Sequence, residues 1–286
     1  MQSLTLVMQF DQKSTSECAF HVGDMKVCSS SQMVQSMRDF LRTAFPEKVI
    51  KDDEHVIDTM KELVKCESEA CVLTKHSPFI EFIGKANTAH EVLTRLKPPG
   101  PSDNDDLLSN FNIDDVLEQF AKKYPGFVHI PFQMRDFQEQ GTKLATIDLA
   151  EEYKKGMKSF GCVLNTDWSS GGGYHWYAIF GDFSGNPITI EYYNTSGNYP
   201  LPETEKWLTK TKYTLGSALG KPVSIIHVLS KAIQKNDFDC GVYALHYIWS
   251  RLEKHPYTAF SDPATAPNDS LMKKARQHLF RPVSAT

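Results

Sequence analysis

Three stretches in the first hundred residues repeat apolar side chains at helical spacing: Met33, Met37, Leu41 and Ala44; Val56, Met60, Leu63 and Val64; Val92, Leu93 and Leu96. Each predicts an amphipathic helix, so residues 1–96 read as a small helical N-terminal arm domain. The run Lys97, Pro98, Pro99, Gly100, Pro101, Ser102 and Asp103 concentrates residues that stop regular structure, and predicts a linker. Residues 97–286 make the second domain in this reading. There, Ile113, Val116, Leu117, Phe120 and Tyr124 mark the apolar face of a helix that Asn112 or Asp114 can cap and Pro125-Gly126 closes.

The pattern then changes period. Residues 160–164, 175–183, 187–194 and 223–229 are aromatic and β-branched runs of strand type. Ser184, Gly185 and Asn186 join the second run to the third as a hairpin. A helix over 202–219 carries Trp207, Leu208 and Leu215, and Val242, Leu245, Trp249 and Leu252 mark a buried helix that opens at Cys240.

Composition removes several function classes. A formal net charge of −4 over 286 residues, without a Lys/Arg run, gives no track for a nucleic-acid backbone. No stretch approaches the roughly 18 apolar residues of a membrane span, and the start lacks a basic flank or cleavage site, so neither membrane insertion nor secretion is expected. The six cysteines, at 18, 28, 66, 71, 162 and 240, are too sparse and irregular for a small secreted disulfide scaffold. Spacings of ten and five also miss the pairs of structural zinc sites. The expectation is buried or free thiols in a reducing compartment, with no metal and no cofactor. Gly171, Gly172 and Gly173 lack the Gly-Lys-Ser/Thr and the helix of a phosphate loop.

Chemistry concentrates in the second domain. A loop at 184–186 sets His175 opposite Asn194, within a residue or two, at the open end of the hairpin. An Asn oxygen accepting from one imidazole nitrogen fixes the tautomer and aims the other nitrogen outward. Cys240 at a helix N-terminus gains from the helix dipole and from a neighbouring imidazolium. Asp239 is placed to cap that helix, and Gly241 lets backbone and substrate approach closely. Six residues upstream, Gln234 offers an amide donor that with the Cys240 N–H makes an oxyanion hole; Asn236 is the reserve. Taken alone, Cys240 is as easily a packing residue, and Asn194 an Asx-turn residue before Thr195-Ser196-Gly197. The combined order and spacing carry the catalytic reading.

His175-Trp176 opening a strand, Tyr192 to Gly197 ending the next, and Gln234-x5-Cys240-Gly241 opening a helix together resemble the SUMO-specific protease and adenain group of cysteine proteases. That resemblance implies an α+β fold with a papain-like core and mixed sheet in circularly permuted order, cleaving after Gly-Gly in ubiquitin-like modifiers or viral precursors. It also implies that Trp176 narrows the channel over the glycines, with Trp168 a second substrate contact. The blocks at 66–72, 99–101, 107–113, 160–167 and 278–281 resemble a viral, polyprotein-processing branch of the group, and include the arm. In that branch an Asn matches Asn165, in support of the oxyanion or the base. The substrate so implied is a structural polyprotein cut at Gly-Gly-X during virion maturation, at assembly sites in the host cytoplasm and in the particle. A ubiquitin or SUMO deconjugase, or an inactive partner-binding scaffold, are the competing readings. The chain departs from the SUMO proteases in having Asn194 where they have Asp.

Overall fold

A computed structural model of the chain describes residues 7–10, 16–101, 105–229 and 233–281. These fall into two compact units, Ser14–Ser102 with Gln277–Thr286, and Met1–Lys13 with Asp103–Arg276. The division therefore differs from a cut at residue 96. Phe10 groups with the larger unit because its ring packs 5.4 Å from Trp249 while His246 Nε2 donates to the Met8 carbonyl at 3.1 Å.

The smaller unit holds five helices among the described residues: α1 (Ser31–Ala44), α2 (Asp53–Val64), α3 (Glu69–Lys75), α4 (Ser77–Ile83) and α5 (Lys85–Arg95). The α1 stripe is buried as its spacing requires, and Ser30 caps the helix by accepting from the Met33 N–H at 3.2 Å. Helix α5 turns differently from its apolar pattern. Leu93 is exposed, while Glu91 faces inward because its carboxylate binds the N–H and hydroxyl of Ser30.

Two expectations are corrected here. Residues 97–101 are packed rather than a free linker: the Lys97 N–H donates to the Glu17 carbonyl at 2.7 Å, its buried Nζ donates to Ser16, and Pro99 pairs with Arg281. Ser102 and Asp103 lie outside the described residues. The four arm cysteines are not free thiols. Cys18 bonds Cys28, and Cys66 bonds Cys71, with Cα atoms 4.9 and 5.6 Å apart. The chain returns on itself at both places, bringing the pairs within disulfide reach despite their irregular spacing. Cys162 and Cys240 remain as free, buried thiols.

The larger unit is built on five strands: β1 (Phe127–His129), β2 (Ser159–Asn165), β3 (Trp176–Asp182), β4 (Ile188–Asn194) and β5 (Val223–Leu229). They lie in chain order, with β1 parallel to β2, β3 antiparallel to both neighbours, and β5 parallel to β4. The outer, parallel pairs need crossovers. Short helices α7 (Lys143–Thr146) and α8 (Leu149–Lys154) lie between β1 and β2, and α9 (Pro202–Leu219) between β4 and β5. Helix α6 (Asn110–Lys123) precedes β1, and α10 (Cys240–Leu252), α11 (Thr258–Ser261) and α12 (Asp269–Leu279) follow β5. The cap of α6 is Ser109, in a capping box with Asn112; Asp114 instead accepts from the Phe132 N–H at 2.7 Å.

Alternation along the strands makes two cores. Cys162, Leu164, Tyr177, Ile179, Ile190 and Tyr192 join Trp207, Leu208 and Leu215 on the α9 face. Phe180, Glu191 and Tyr193 meet α10 on the other, with Tyr193 and Tyr247 stacked at 4.3 Å. Every residue of α10 is buried. Its polar tie to the sheet is Arg251, whose guanidinium reaches both Glu191 oxygens at 2.8 and 2.9 Å, while Tyr247 donates to the same carboxylate at 2.7 Å.

Removing one partner of such a pair leaves a buried charge alone. Glu191→Ala is expected to lower unfolding stability by about 3–5 kcal/mol in a denaturant titration. A loss under about 1 kcal/mol would place the pair in the class of surface salt bridges.

Candidate active site

The hairpin register lies within the expected range, two residues from its centre. Tyr193 faces Ala178 and Thr189 faces Asp182, so the turn runs from Phe183 to Ile188 rather than over three residues. The shift is even, which leaves every side chain on its expected face. His175, just before β3, therefore still meets Asn194, the last residue of β4: Nε2 lies 2.9 Å from Asn194 Oδ1.

The surrounding bonds decide the tautomer. The Ser196 N–H can only donate, and does so to Asn194 Oδ1 at 3.0 Å, joined by the Ser196 hydroxyl at 2.9 Å. Asn194 Nδ2 donates to the Tyr192 hydroxyl at 2.8 Å. With the amide so oriented, His175 Nε2 must carry the proton and Nδ1 is the free base. The Asx turn expected of Asn194 is thus present together with its bond to the imidazole.

Cys240 opens α10 as expected and is buried. Asp239 sits at the cap position without a capping bond, because its carboxylate is drawn to Arg276 at 2.7 Å and to the Asn236 amide at 2.8 Å. Burial pushes the Cys240 thiol pKa up, opposed by the backbone N–H groups of Trp176, Gly241 and Cys240 that face the sulfur. One of those belongs to the residue after His175, so the start of β3 and the N-terminus of α10 adjoin. Burial likewise holds His175 below the ordinary imidazole value, partly offset by Asn194. In both groups burial thus favours the uncharged form.

Around this pair the other expected residues are placed unevenly. Gln234 is held at both ends, its Oε1 by the Thr195 hydroxyl at 2.9 Å and its Nε2 by the Asn236 carbonyl at 2.8 Å. The preceding residues 230–232 lie outside the described residues. Asn236 is spent on its own loop, accepting from the N–H groups of Phe238 and Asp239. Asn165 is buried beside the histidine strand, opposite Trp176, with Oδ1 accepting from Asp167 and Tyr174 N–H groups and Nδ2 directed at Gly173. Trp168 is partly exposed under the Arg135 guanidinium, 4.7 Å away, in a loop folded on Asp167. That loop needs glycine at 171, where a Cβ would fall 2.2 Å from the Asp167 carboxylate.

Trp176 is buried, and its indole N–H donates to the Leu108 carbonyl at 3.1 Å. A Cβ on Gly241 would come within 3.1 Å of Leu108. Leu108 thus bridges the indole and the first turn of α10, a contact with no signal in the sequence. Tyr192 belongs to the sequence motif but received no role there, although its place two residues before Asn194 on one strand face could have shown one. Among the described residues no cluster of His, Cys, Asp and Glu fits a metal, and no helix is long and apolar enough to cross a membrane.

Fold and site define a class, the cysteine proteases, and comparison narrows it. No protein-family model matches the chain. The cysteine protease of a tick isolate of African swine fever virus from Malawi is 36% identical over 284 residues, covering 94% of this chain and 96% of the relative. A protein named SUMO-1 cysteine protease from a Kenyan pig isolate of that virus is equally similar, at 36% over the same coverage. The crystal structure of the African swine fever virus protease superposes with a TM-score of 0.79 at 34% identity, over 95% of this chain and 98% of that one. The chain belongs to this family of viral cysteine proteases.

With His175 as the proposed base, the active form is the neutral imidazole, which is lost as pH falls through its lowered pKa. The acidic limb of kcat/KM is therefore expected below pH 6.5. A limb above 6.5 in a peptide-cleavage profile would contradict the burial described here.

Proposed function

We propose that the chain is an endopeptidase that cuts after Gly-Gly in viral structural polyproteins, using Cys240, His175 and Asn194. The observation that carries this reading is the Asn194-held imidazole, with its free nitrogen available, at the strand start that also presents a backbone N–H to the Cys240 sulfur. Cys240 attacks the scissile carbonyl carbon while its proton passes to His175 Nδ1. The oxyanion forms against the Cys240 N–H and the Gln234 amide, with Asn165 Nδ2 as a further donor. Collapse breaks the C–N bond, and the proton on Nδ1 goes to the leaving amine. A water, deprotonated by the same nitrogen, then hydrolyses the thioester and restores the thiol.

The preference for glycine is supported by crowding. Trp176, Leu108 and Gly241 press together at the N-terminus of α10, and a path beside them favours residues without side chains. Trp168 and Gly241 are assigned to substrate contact, and the assembly sites in the host cytoplasm and the virion to its place of action. The relative named SUMO-1 cysteine protease supports a second reading, removal of a ubiquitin-like modifier.

Short peptides containing Gly-Gly-X separate these readings. Wild type is expected to cleave them and Cys240→Ser to lose all but a residual rate, about 10³-fold or more below wild type. Equal cleavage by the two would remove Cys240 from the mechanism. A requirement for a folded modifier would favour deconjugation. Within the triad reading, Asn165→Ala is expected to lower kcat by about 10²-fold through loss of one oxyanion donor; an unchanged kcat would remove Asn165 from that role.

A further inference from the structure

The amide that orients His175 must itself be oriented, because an Asn side chain rotated by half a turn would present Nδ2 to the imidazole and favour the wrong tautomer. At the oxygen end, Ser196 supplies two donors from an exposed turn. At the nitrogen end, two partners are present: the Tyr192 hydroxyl at 2.8 Å and the Asn198 carbonyl at 3.4 Å. Tyr192 is the nearer and the better fixed. Its ring is buried, 5.2 Å from Tyr177 and 6.2 Å from His227, and its hydroxyl donates to the same Asn198 carbonyl. A hydroxyl that has given its proton to a carbonyl can only accept from Asn194.

We propose that Tyr192 is a positioning residue for the Cys240/His175 pair, locking the Asn194 amide so that its oxygen faces His175 and leaves Nδ1 as base. The inference rests on reading those two residues as the reactive pair, and not on the identity of the substrate. Two further features favour it. Tyr192 and Asn194 are two residues apart on one strand, so the hydroxyl and the amide share a face by geometry alone. Burial also raises the Tyr192 pKa to about 12, so the phenol stays protonated across the working range.

Tyr192→Phe keeps the ring and removes only the hydroxyl. Alkylation of Cys240 by iodoacetamide reads the pair without any substrate. The variant is expected to alkylate about tenfold more slowly near neutral pH, the worth of one hydrogen bond, with an unchanged thermal midpoint. Its peptide kcat should fall by a similar factor with KM within about twofold. In an Asn194→Ala background the same change should add nothing, since the group it acts through is gone. An unchanged alkylation rate, or an equal loss in both backgrounds, overturns the proposal. If Tyr192→Phe does not fold, the nitrogen shifts of His175 in wild type decide: a proton on Nε2 supports the lock, and one on Nδ1 refutes it. Failure of wild type to cut Gly-Gly-X peptides would sink the substrate reading and leave these two measurements intact.

Discussion

The buried pair between Glu191 and Arg251 fixes the relation between the sheet and the helix that opens at Cys240. Helix α10 is covered on every side, so no exposed stripe tells it which way to face. Apolar packing alone leaves such a helix free to slide or rotate among similar contacts. A bidentate guanidinium against a fully buried carboxylate does not, because any displacement strands a charge away from water. Glu191 lies three residues before Asn194 on β4, and Arg251 ends the helix that Cys240 begins. One tie therefore registers the orienting strand against the nucleophilic helix.

From that frame the chemistry follows with little charge. Asn194 is neutral and cannot stabilise an imidazolium as a carboxylate would. Burial favours the uncharged forms of both His175 and Cys240, which suits a proton that moves only as the thiol attacks. The backbone N–H groups facing the sulfur then stabilise charge where it appears, during reaction and not before it. In the proposed triad, holding His175 in one tautomer replaces the missing charge as the main contribution of Asn194.

Much of this was legible because the chemistry is carried by sequence-local features. The spans of α9 and β5 coincide with the periodic runs over 202–219 and 223–229, and Cys240 opens its helix where Val242, Leu245 and Trp249 place it. Helices α3 and α4, seven residues each, are too short to show a period. Caps were misread where a second partner competes: Asp239 turns to Arg276, and Asp114 to Phe132. The hairpin register fell within its expected range although the turn is longer than its Ser-Gly-Asn suggests, and the His175–Asn194 encounter was kept. The arm disulfides join residues whose proximity depends on how the chain folds back, which spacing does not encode. Tyr192 and Leu108 look like ordinary core residues until their hydroxyl and carbonyl are traced.

The strands of the sheet lie side by side in the order in which they are made. Base and orienter come from one hairpin, whose pairing is local and whose closure needs nothing downstream. Cys240, the proposed nucleophile, comes later, on a helix that has no exposed face of its own and needs both β3 and β4 to bury it. A growing chain thus carries an oriented histidine with no sulfur to activate. With Cys240 as the proposed nucleophile, the two halves of the site come together only when α10 packs on the hairpin, so a half-folded copy lacks the pair.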